Sequence, residues 1–226
     1  SFISGVSMLG IALGVAALII VLSVMNGFQK EVRERMLSVV SHIEVLAPGG
    51  AALVDLPAAL QQLRSHPQVV GAAPFVAAQA LLARGETMKG VVLRGIDPAL
   101  EGEVTDLAAA HPEVLAQLQP GAFRVVLGLE LARQLGVRVG DVVTLVAPSG
   151  QVTPAGVLPR LKQMTVAGLF HSGHYEYDAA LALMHVEDAQ RLLRLEGPTG
   201  VRLKLHDLHQ APAVARELAH TLTEHL

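Results

Sequence analysis

The first 29 residues contain no Asp, Glu, Lys or Arg, and this uncharged stretch limits the possible folds more than any other feature. Phe2 to Met25 consists almost entirely of Ile, Leu, Val, Ala, Gly and Ser. As a helix it would be about 36 Å long, enough to cross the ~30 Å hydrocarbon core of a bilayer with some tilt. The pattern therefore predicts a transmembrane helix at residues 1–28.

Two other structures are compatible with an apolar N-terminal run. A secretory signal peptide has an apolar region of only ~7–15 residues, and this run is longer and continues without a break into Asn26-Gly27-Phe28. A helix buried in a globular core stays open as the alternative. The chain begins at Ser1 and ends inside a predicted helix, so we expect it to be part of a longer protein.

One face of the predicted membrane helix carries residues spaced three and four apart. The side chains in the first half of this face are small, as close packing against another helix requires: Gly10, Gly14 and Ala17. Those in the second half are larger: Val21, Met25 and Phe28. Gly10 and Gly14 form a GxxxG pair. The large half suits an apolar ligand or a partner helix, and generic helix packing is the alternative interpretation.

The residues after Lys30 have the composition of a globular domain, and the first of them predict a helix packed on a sheet. His42–Leu46 alternates like a strand, and Leu56–Ser65 has helical spacing with Asp55 as a plausible N-cap. Val69–Val76 reads as a second strand, interrupted by Pro74. This β-α-β order predicts a small helix-on-sheet subdomain.

The middle of the chain predicts a second, mostly β subdomain inserted into the first. Its strand-like runs are Ala77–Arg84, Met88–Gly95, Val125–Leu127, Val142–Val146, Met164–Phe170 and Ala179–Met184. A strand at Val201–Leu205 and a helix at Ala211–Leu222 would complete the first subdomain. The predicted class is therefore α+β, with one subdomain at residues 29–80 and 196–226 and an insertion at residues 81–195.

The segment Pro148–Pro159 has an unusual composition for a loop between strands. It contains three prolines, two glycines and no charge. We expect the arm of a long hairpin whose tip cannot form ladder bonds. Proline fixes the backbone in advance, which suits docking of a partner protein, and Arg160 and Lys162 follow within reach of an acidic partner. A merely structural loop is an equally good interpretation of the residues alone.

Known catalytic and nucleotide-binding motifs are absent from the sequence. It has no GxxxxGK[ST], GxSxG, HExxH or CxxC motif, so no enzymatic activity and no cofactor are expected. His171 and His174, with Glu176 and Asp178 nearby, are possible metal ligands, but we expect a polar loop there and no metal. A net charge of −3 and only seven aromatic residues argue against nucleic acid as a partner.

Several segments resemble the permease subunits of the lipoprotein-releasing (Lol) ABC transporter, of the LolC and LolE type. The most specific is Leu22-Ser-Val-Met-Asn-Gly-Phe28, and Gly128-Leu-Glu-Leu-Ala132, Thr153-Pro-Ala-Gly156 and Tyr175-Glu-Tyr-Asp178 follow in matching order. The resemblance implies a first membrane helix followed by a periplasmic domain like that of MacB-type exporters. In that domain a porter-like α/β subdomain is interrupted by a mostly β subdomain.

The resemblance also implies a function and partners. Lol permeases of a Gram-negative inner membrane work with a separate LolD-type ATPase subunit and a second permease subunit, either LolE-like or a second copy. The complex extracts lipoproteins from membrane lipid and passes them to the periplasmic carrier LolA.

The resemblance further implies roles for particular residues. A loop called the hook captures the carrier, and here it corresponds to Pro148, Thr153, Pro154, Ala155, Gly156, Val157, Leu158 and Pro159. A nearby pad corresponds to Arg160 and Lys162, and Val21, Met25 and Phe28 would face the lipoprotein's acyl chains. The His171–Asp178 loop looks more like permeases that act as homodimers. A MacB- or FtsX-type permease that transmits force without moving lipoproteins is the alternative.

Overall fold

The computed structural model describes residues 13–16, 18–23, 41–48, 51–53, 55–153 and 156–222. For residues 148–153, 156–158 and 220–222 it describes the backbone alone. The chain divides into two compact units, Ser1–Leu37 and Ser38–Leu226.

The first unit is described over a few helical residues. Residues 13–16 and 18–23 are helical, and their large apolar side chains are exposed, including Val21 at 61%. Within the described ranges, no helix has both the length and the apolar character needed to cross a membrane. The remaining residues of the predicted membrane helix at 1–28 lie outside the described ranges, so that helix stays a prediction.

The second unit is organised around one eight-stranded sheet. Its strands, numbered in chain order within the unit, are β1 Ile43–Leu46, β2 Val69–Arg84, β3 Thr87–Ile96, β4 Arg124–Gly128, β5 Val142–Thr153, β6 Gly156–Phe170, β7 Leu181–His185 and β8 Gly200–Leu205. They are arranged in the order β1-β8-β2-β3-β7-β4-β6-β5, and β2 also pairs with β5.

The second pairing of β2 closes part of the sheet into a barrel. One edge of β2 pairs with β3 from Phe75 to Arg84. Its other edge pairs first with β8 and then, at Leu81 to Ala83, with β5. The strands β2-β3-β7-β4-β6-β5 therefore form a closed ring, and β8 and β1 continue as a short open sheet.

The sequence predicted two strands where the structure has the single 16-residue strand β2. The predicted division between Val76 and Ala77 was wrong, and Pro74 does not interrupt the strand either. Pairing with β3 begins only at Phe75, so on that edge Pro74 faces no neighbouring strand. A proline is tolerated at such an edge position, since its missing N–H removes no ladder bond.

Helices cover the ends and faces of the sheet. They are α1 Leu56–Ser65, α2 Pro98–Glu101, α3 Asp106–Ala110, α4 Pro112–Leu115, α5 Leu129–Leu135, α6 Tyr175–Ala180, α7 Val186–Leu193 and α8 Ala211–Leu222. The predicted cap of α1 is confirmed, because Asp55 Oδ1 accepts a hydrogen bond from the Ala58 N–H at 3.1 Å. Gly136 ends α5 in a left-handed conformation at φ 64°, which glycine adopts without strain.

The buried apolar side chains form separate clusters that follow this arrangement. One fills the barrel and includes residues of α5 and α7. A second lies among α3, α4 and strands β4, β6 and β7. A third lies between the open sheet and helices α1 and α8, around Leu63, Leu203 and Leu218. The mixed α and β content agrees with the predicted class, and the subdomain boundaries at residues 80 and 196 stay a prediction.

A buried ion pair connects β8 to α2. Arg202 is 1% exposed and donates from Nη2 to Glu101 Oε1 at 2.5 Å, and its guanidinium lies 5.2 Å from the centre of the Phe75 ring. Burial raises the pKa of the Glu101 carboxyl and lowers the pKa of the Arg202 guanidinium. Glu101 Oε2 and Arg202 Nε have no hydrogen-bond partner among the described residues. Desolvation therefore offsets much of the attraction within the pair.

Removing one member of this pair should cost far more stability than removing both. We expect Glu101→Leu to lower the free energy of unfolding by about 3–5 kcal/mol, because it leaves a buried guanidinium unpaired. The double variant with Arg202→Met should lose much less than the sum of the two single losses. Urea unfolding followed by circular dichroism measures all three, and additive losses would contradict this account.

His42 gives the fold a stability that depends on pH. Its Nδ1 accepts a hydrogen bond from the Leu205 N–H at 3.0 Å. Burial, and next the charge of Lys204, lower the pKa of the His42 imidazole from its ordinary value of 6.5, while Asp106 opposes them. The unfolded chain therefore binds a proton at His42 more readily than the folded chain does. The stability that His42 contributes is complete above pH 6.5 and is lost as the pH falls below that value.

The variant His42→Asn tests this pH dependence, because asparagine can accept a hydrogen bond and does not titrate. We expect the wild type to lose stability between pH 7 and pH 5 more steeply than the variant does. Thermal unfolding across that range measures the difference in slope. Parallel profiles for the two proteins would show that His42 makes no such contribution.

Candidate functional site: a hairpin arm beside a basic cleft

Strands β5 and β6 extend beyond the barrel as a two-stranded arm. The arm consists of residues 148–159. These residues lie between Ala147 and Arg160, which form the last regular pair at the barrel. Pairing resumes with Gln151 opposite Leu158 and continues to Thr153 opposite Gly156. Pro154 and Ala155, between the paired ends, lie outside the described residues. The arm coincides with the predicted hook.

The predicted tip without ladder bonds, around Pro154, lies outside the described residues. On either side of it the strands pair up to Thr153 and Gly156, and the positions of Pro148 and Pro159 explain why the pairing reaches so far. Pro148 and Pro159 fall at an irregularity in the register between Ala147 and Gln151. At such positions a missing N–H removes no ladder bond. Pro148 and Pro159 therefore limit the arm's backbone freedom without disrupting its pairing.

Of the predicted hook side chains, the structure describes that of Pro159 alone. Pro159 is exposed and lines an open groove of about 600 Å³ on the outer face of the barrel. The groove is also lined by Gln79, Ala80, Leu81, Gly90, Val91, Val92, Val146 and Ala180. Pro148, Thr153, Gly156, Val157 and Leu158 are described in backbone only. Their predicted contacts with a carrier stay predictions.

The predicted pad residues lie at the root of the arm, and both contact neighbouring elements. Arg160 Nη1 donates to the Leu192 carbonyl oxygen at 3.1 Å, near the C-terminal end of α7. A cation is favourable there, because the last carbonyls of a helix lack partners within it. Lys162 Nζ lies 3.7 Å from the centre of the Phe123 ring, a cation–π contact.

Arg160 and Lys162 form one side of a larger basic cleft. We define the basic cleft as the concave site of about 330 Å³ lined by Phe123, Arg160, Leu161, Lys162, Arg191, Leu192 and Arg194. Among the described residues, Arg191 is the one cation of the four with a carboxylate partner, at 3.3 Å from Glu187 and 3.8 Å from Asp188. The cleft therefore carries a surplus of positive charge.

Asp188 holds the loop that supplies Phe123 to the cleft. Its carboxylate is fully buried and accepts hydrogen bonds from the N–H groups of Gly121, at 2.6 Å, and Phe123, at 2.9 Å. Phe123 has a φ of 47°, a left-handed conformation that is costly for a bulky residue. Such strain persists only where surrounding contacts enforce it. The two bonds to Asp188 are contacts of that kind.

The sequence interpretation missed Phe123, Arg191, Arg194 and Asp188. One signal was present, because the helical spacing from Val186 to Leu195 predicts a helix in which Arg191 and Arg194, three residues apart, share a face. Nothing local linked that face to the arm. The role of Phe123 could not be predicted from local sequence, because its position depends on a hydrogen bond to Asp188, 65 residues later.

The other candidate residues lie apart from this site or outside the described ranges. The predicted loop from His171 to Asp178 is partly helical, since α6 begins at Tyr175. Asp178 is buried and accepts from His171 Nδ1 at 2.5 Å and from the Ser172 N–H and hydroxyl at 2.7 Å each, which stabilises the turn before the helix. In the part of the chain that the structure describes, no three His, Cys, Asp or Glu residues are grouped to hold a metal. Of the predicted lipoprotein-binding residues, Val21 is described and exposed, and Met25 and Phe28 are not described.

Comparison with known proteins gives matches along nearly the whole chain. The model of the MacB-like periplasmic core domain family matches residues 4–221. The lipoprotein-releasing system transmembrane protein LolC of Xylella fastidiosa is 47% identical over 220 residues, which cover 97% of this chain and 53% of that protein. The corresponding protein LolE of Haemophilus influenzae is 33% identical over 224 residues, covering 96% and 52%. The chain thus spans about half the length of these relatives.

The fold also resembles a solved structure at low sequence identity. The extracellular domain of the noncanonic ABC-type transporter YknZ from Gram-positive bacteria matches with a TM-score of 0.50 and 12% identity. The match covers 80% of this chain and 91% of that chain. At this identity the likeness concerns the fold alone.

Proposed function

This chain belongs to the MacB-like periplasmic core domain family, and we propose that it is part of a permease subunit of an ABC transporter that extracts lipoproteins from the inner membrane. In this proposal the subunit hands each lipoprotein to the soluble periplasmic carrier LolA. Relatives named LolC and LolE support a permease of this system, and their identities do not separate the two roles, since in Haemophilus influenzae the protein named LolE is 33% identical and the one named LolC is 29% identical.

The observation that carries the proposal is the paired arm at residues 148–159. A hairpin whose strands pair up to Thr153 and Gly156 loses less conformational entropy on docking than a flexible loop would. Pro148 and Pro159 fall at an irregularity in the pairing and limit the backbone further. The surplus of positive charge beside its root would favour a partner with an acidic surface. These features fit a surface built to capture another protein.

The rest of the transporter would lie in other segments and subunits. Residues 1–28 would form the first membrane helix, with Val21, Met25 and Phe28 facing the acyl chains of the lipoprotein. By the resemblance to the Lol permeases, a separate LolD-type subunit would hydrolyse ATP. The second permease would be LolE-like or a second copy of this one. Because each buried methylene contributes about 0.8 kcal/mol, extraction of acyl chains needs that energy input and an apolar receptor.

A permease that transmits force without moving lipoproteins is the competing proposal, and replacement of the arm distinguishes the two. Residues 148–159 are exchanged for Asn-Gly, which joins the paired residues Ala147 and Arg160 through a two-residue hairpin turn. The barrel pairs are kept, so we expect the variant to fold. If the arm captures the carrier, binding of LolA to the full-length permease complex should fall at least tenfold, as measured by surface plasmon resonance.

A matched control lies at the opposite end of the barrel. The β2–β3 hairpin also has a two-residue turn, Gly85-Glu86, between the paired residues Arg84 and Thr87. From the pairing of Leu81 with Val146 and Ala83 with Thr144, this turn points away from the arm. Exchange of Gly85-Glu86 for Asn-Gly should leave LolA binding unchanged. If the variant without the arm binds LolA as well as the control does, the force-transmitting permease is favoured.

A further inference from the structure

Five residues of the basic cleft are not part of the proposed docking surface: Phe123, Leu161, Arg191, Leu192 and Arg194. From their arrangement we infer that the cleft binds acidic side chains of the same protein that docks on the arm. This inference rests on the proposed function and extends it. It assigns Arg191 and Arg194 as partner-binding residues and Phe123 as the residue that positions Lys162.

The charges of the cleft favour carboxylates. Arg160 is bonded to the Leu192 carbonyl and Lys162 lies on the Phe123 ring, so neither contact neutralises a positive charge. Arg194 is exposed and has no carboxylate partner among the described residues. Arginine presents several N–H groups in a planar fork that matches a carboxylate with two parallel hydrogen bonds.

The cleft is continuous with the arm. Arg160 follows Pro159 directly in β6, and its guanidinium reaches α7, whose end contributes Arg191 and the C-cap residue Arg194. A protein held by the arm would therefore also lie against the cleft. Leu161, between the two pad residues, is 66% exposed and adds apolar surface at the same place. Cations beside an exposed aliphatic side chain are typical of a protein interface rim.

The position of Lys162 is fixed before any partner binds. Asp188 accepts hydrogen bonds from the backbone that carries Phe123, and the Phe123 ring holds the Lys162 ammonium at 3.7 Å. A lysine held in this way loses less side-chain freedom on binding than a free lysine does. Loss of the ring should therefore weaken binding even though the charge remains.

Lipid phosphates are the other anions that four clustered cations could bind. The position of the cleft favours a protein. It lies at the root of an arm in which β5 continues six residues beyond Ala147. A flat bilayer that approached along the arm would meet its tip before it reached the cleft. Vesicles containing phosphatidylglycerol serve as the probe for this alternative.

The experiment measures LolA binding to the full-length permease complex at two salt concentrations. We expect Arg191→Gln and Arg194→Gln each to weaken binding by about two- to fivefold, as for exposed ion pairs, and to reduce its salt dependence. Phe123→Leu should weaken binding and leave the salt dependence unchanged, because no charge is removed. Arg133→Gln is the matched control, since Arg133 is an exposed arginine on α5 outside the cleft, and it should bind LolA as the wild type does.

Four outcomes separate the possibilities. Weaker binding by the cleft variants, with unchanged thermal unfolding, supports the inference. If arm replacement abolishes LolA binding while Arg194→Gln leaves its affinity and salt dependence unchanged, the inference is wrong and the proposed function stands. If Arg194→Gln impairs binding to the vesicles alone, the cleft binds lipid and the inference is overturned. If replacement of the arm leaves LolA binding unchanged, the proposed function is contradicted.

Discussion

The pairing of β2 with three other strands is the interaction on which the rest of the second unit depends. Its first half completes the open sheet with β8, and its second half closes the barrel through β3 on one edge and β5 on the other. The contact between Leu81 and Val146 fixes where β5 leaves the barrel, and so where the arm begins. The pairing register of β2 cannot shift by one residue, because such a shift would turn the apolar face of β2 outward. The position of the arm is thus set by the core.

The basic cleft depends on a second set of contacts, between parts of the chain that are distant in sequence. Asp188 in α7 holds the strained backbone at Phe123, and the Phe123 ring holds Lys162 of β6. Arg160, two residues earlier, bonds the end of the same helix. The cleft is therefore assembled by α7, which also packs into the barrel core through Val186, Ala189 and Leu192. Core packing and surface charge are linked by one short helix.

Local patterns in the sequence predicted much of this structure, and the failures have physical causes. The helix at Leu56–Ser65 with its Asp55 cap is confirmed, because capping depends on neighbouring residues. Pro74 was interpreted as a strand break, because the sequence does not show which edge of a strand lacks a neighbour. The arm was predicted from its prolines, and the register irregularity at which Pro148 and Pro159 fall was not, because it depends on how the two strands pair. Phe123 and Asp188 were missed because hydrogen bonds across 65 residues leave no local signal.

The central claim is that the arm and its root contact a soluble carrier in the assembled transporter. Site-specific photo-crosslinking in living cells tests this most directly, with a photoreactive amino acid placed at one of two exposed apolar positions. Leu161 lies at the root of the arm, and Met88 lies beside the Gly85-Glu86 turn at the opposite end of the barrel. We predict a crosslink to LolA from position 161 and none from position 88. Equal crosslinking from both positions, or none from 161, would contradict the account.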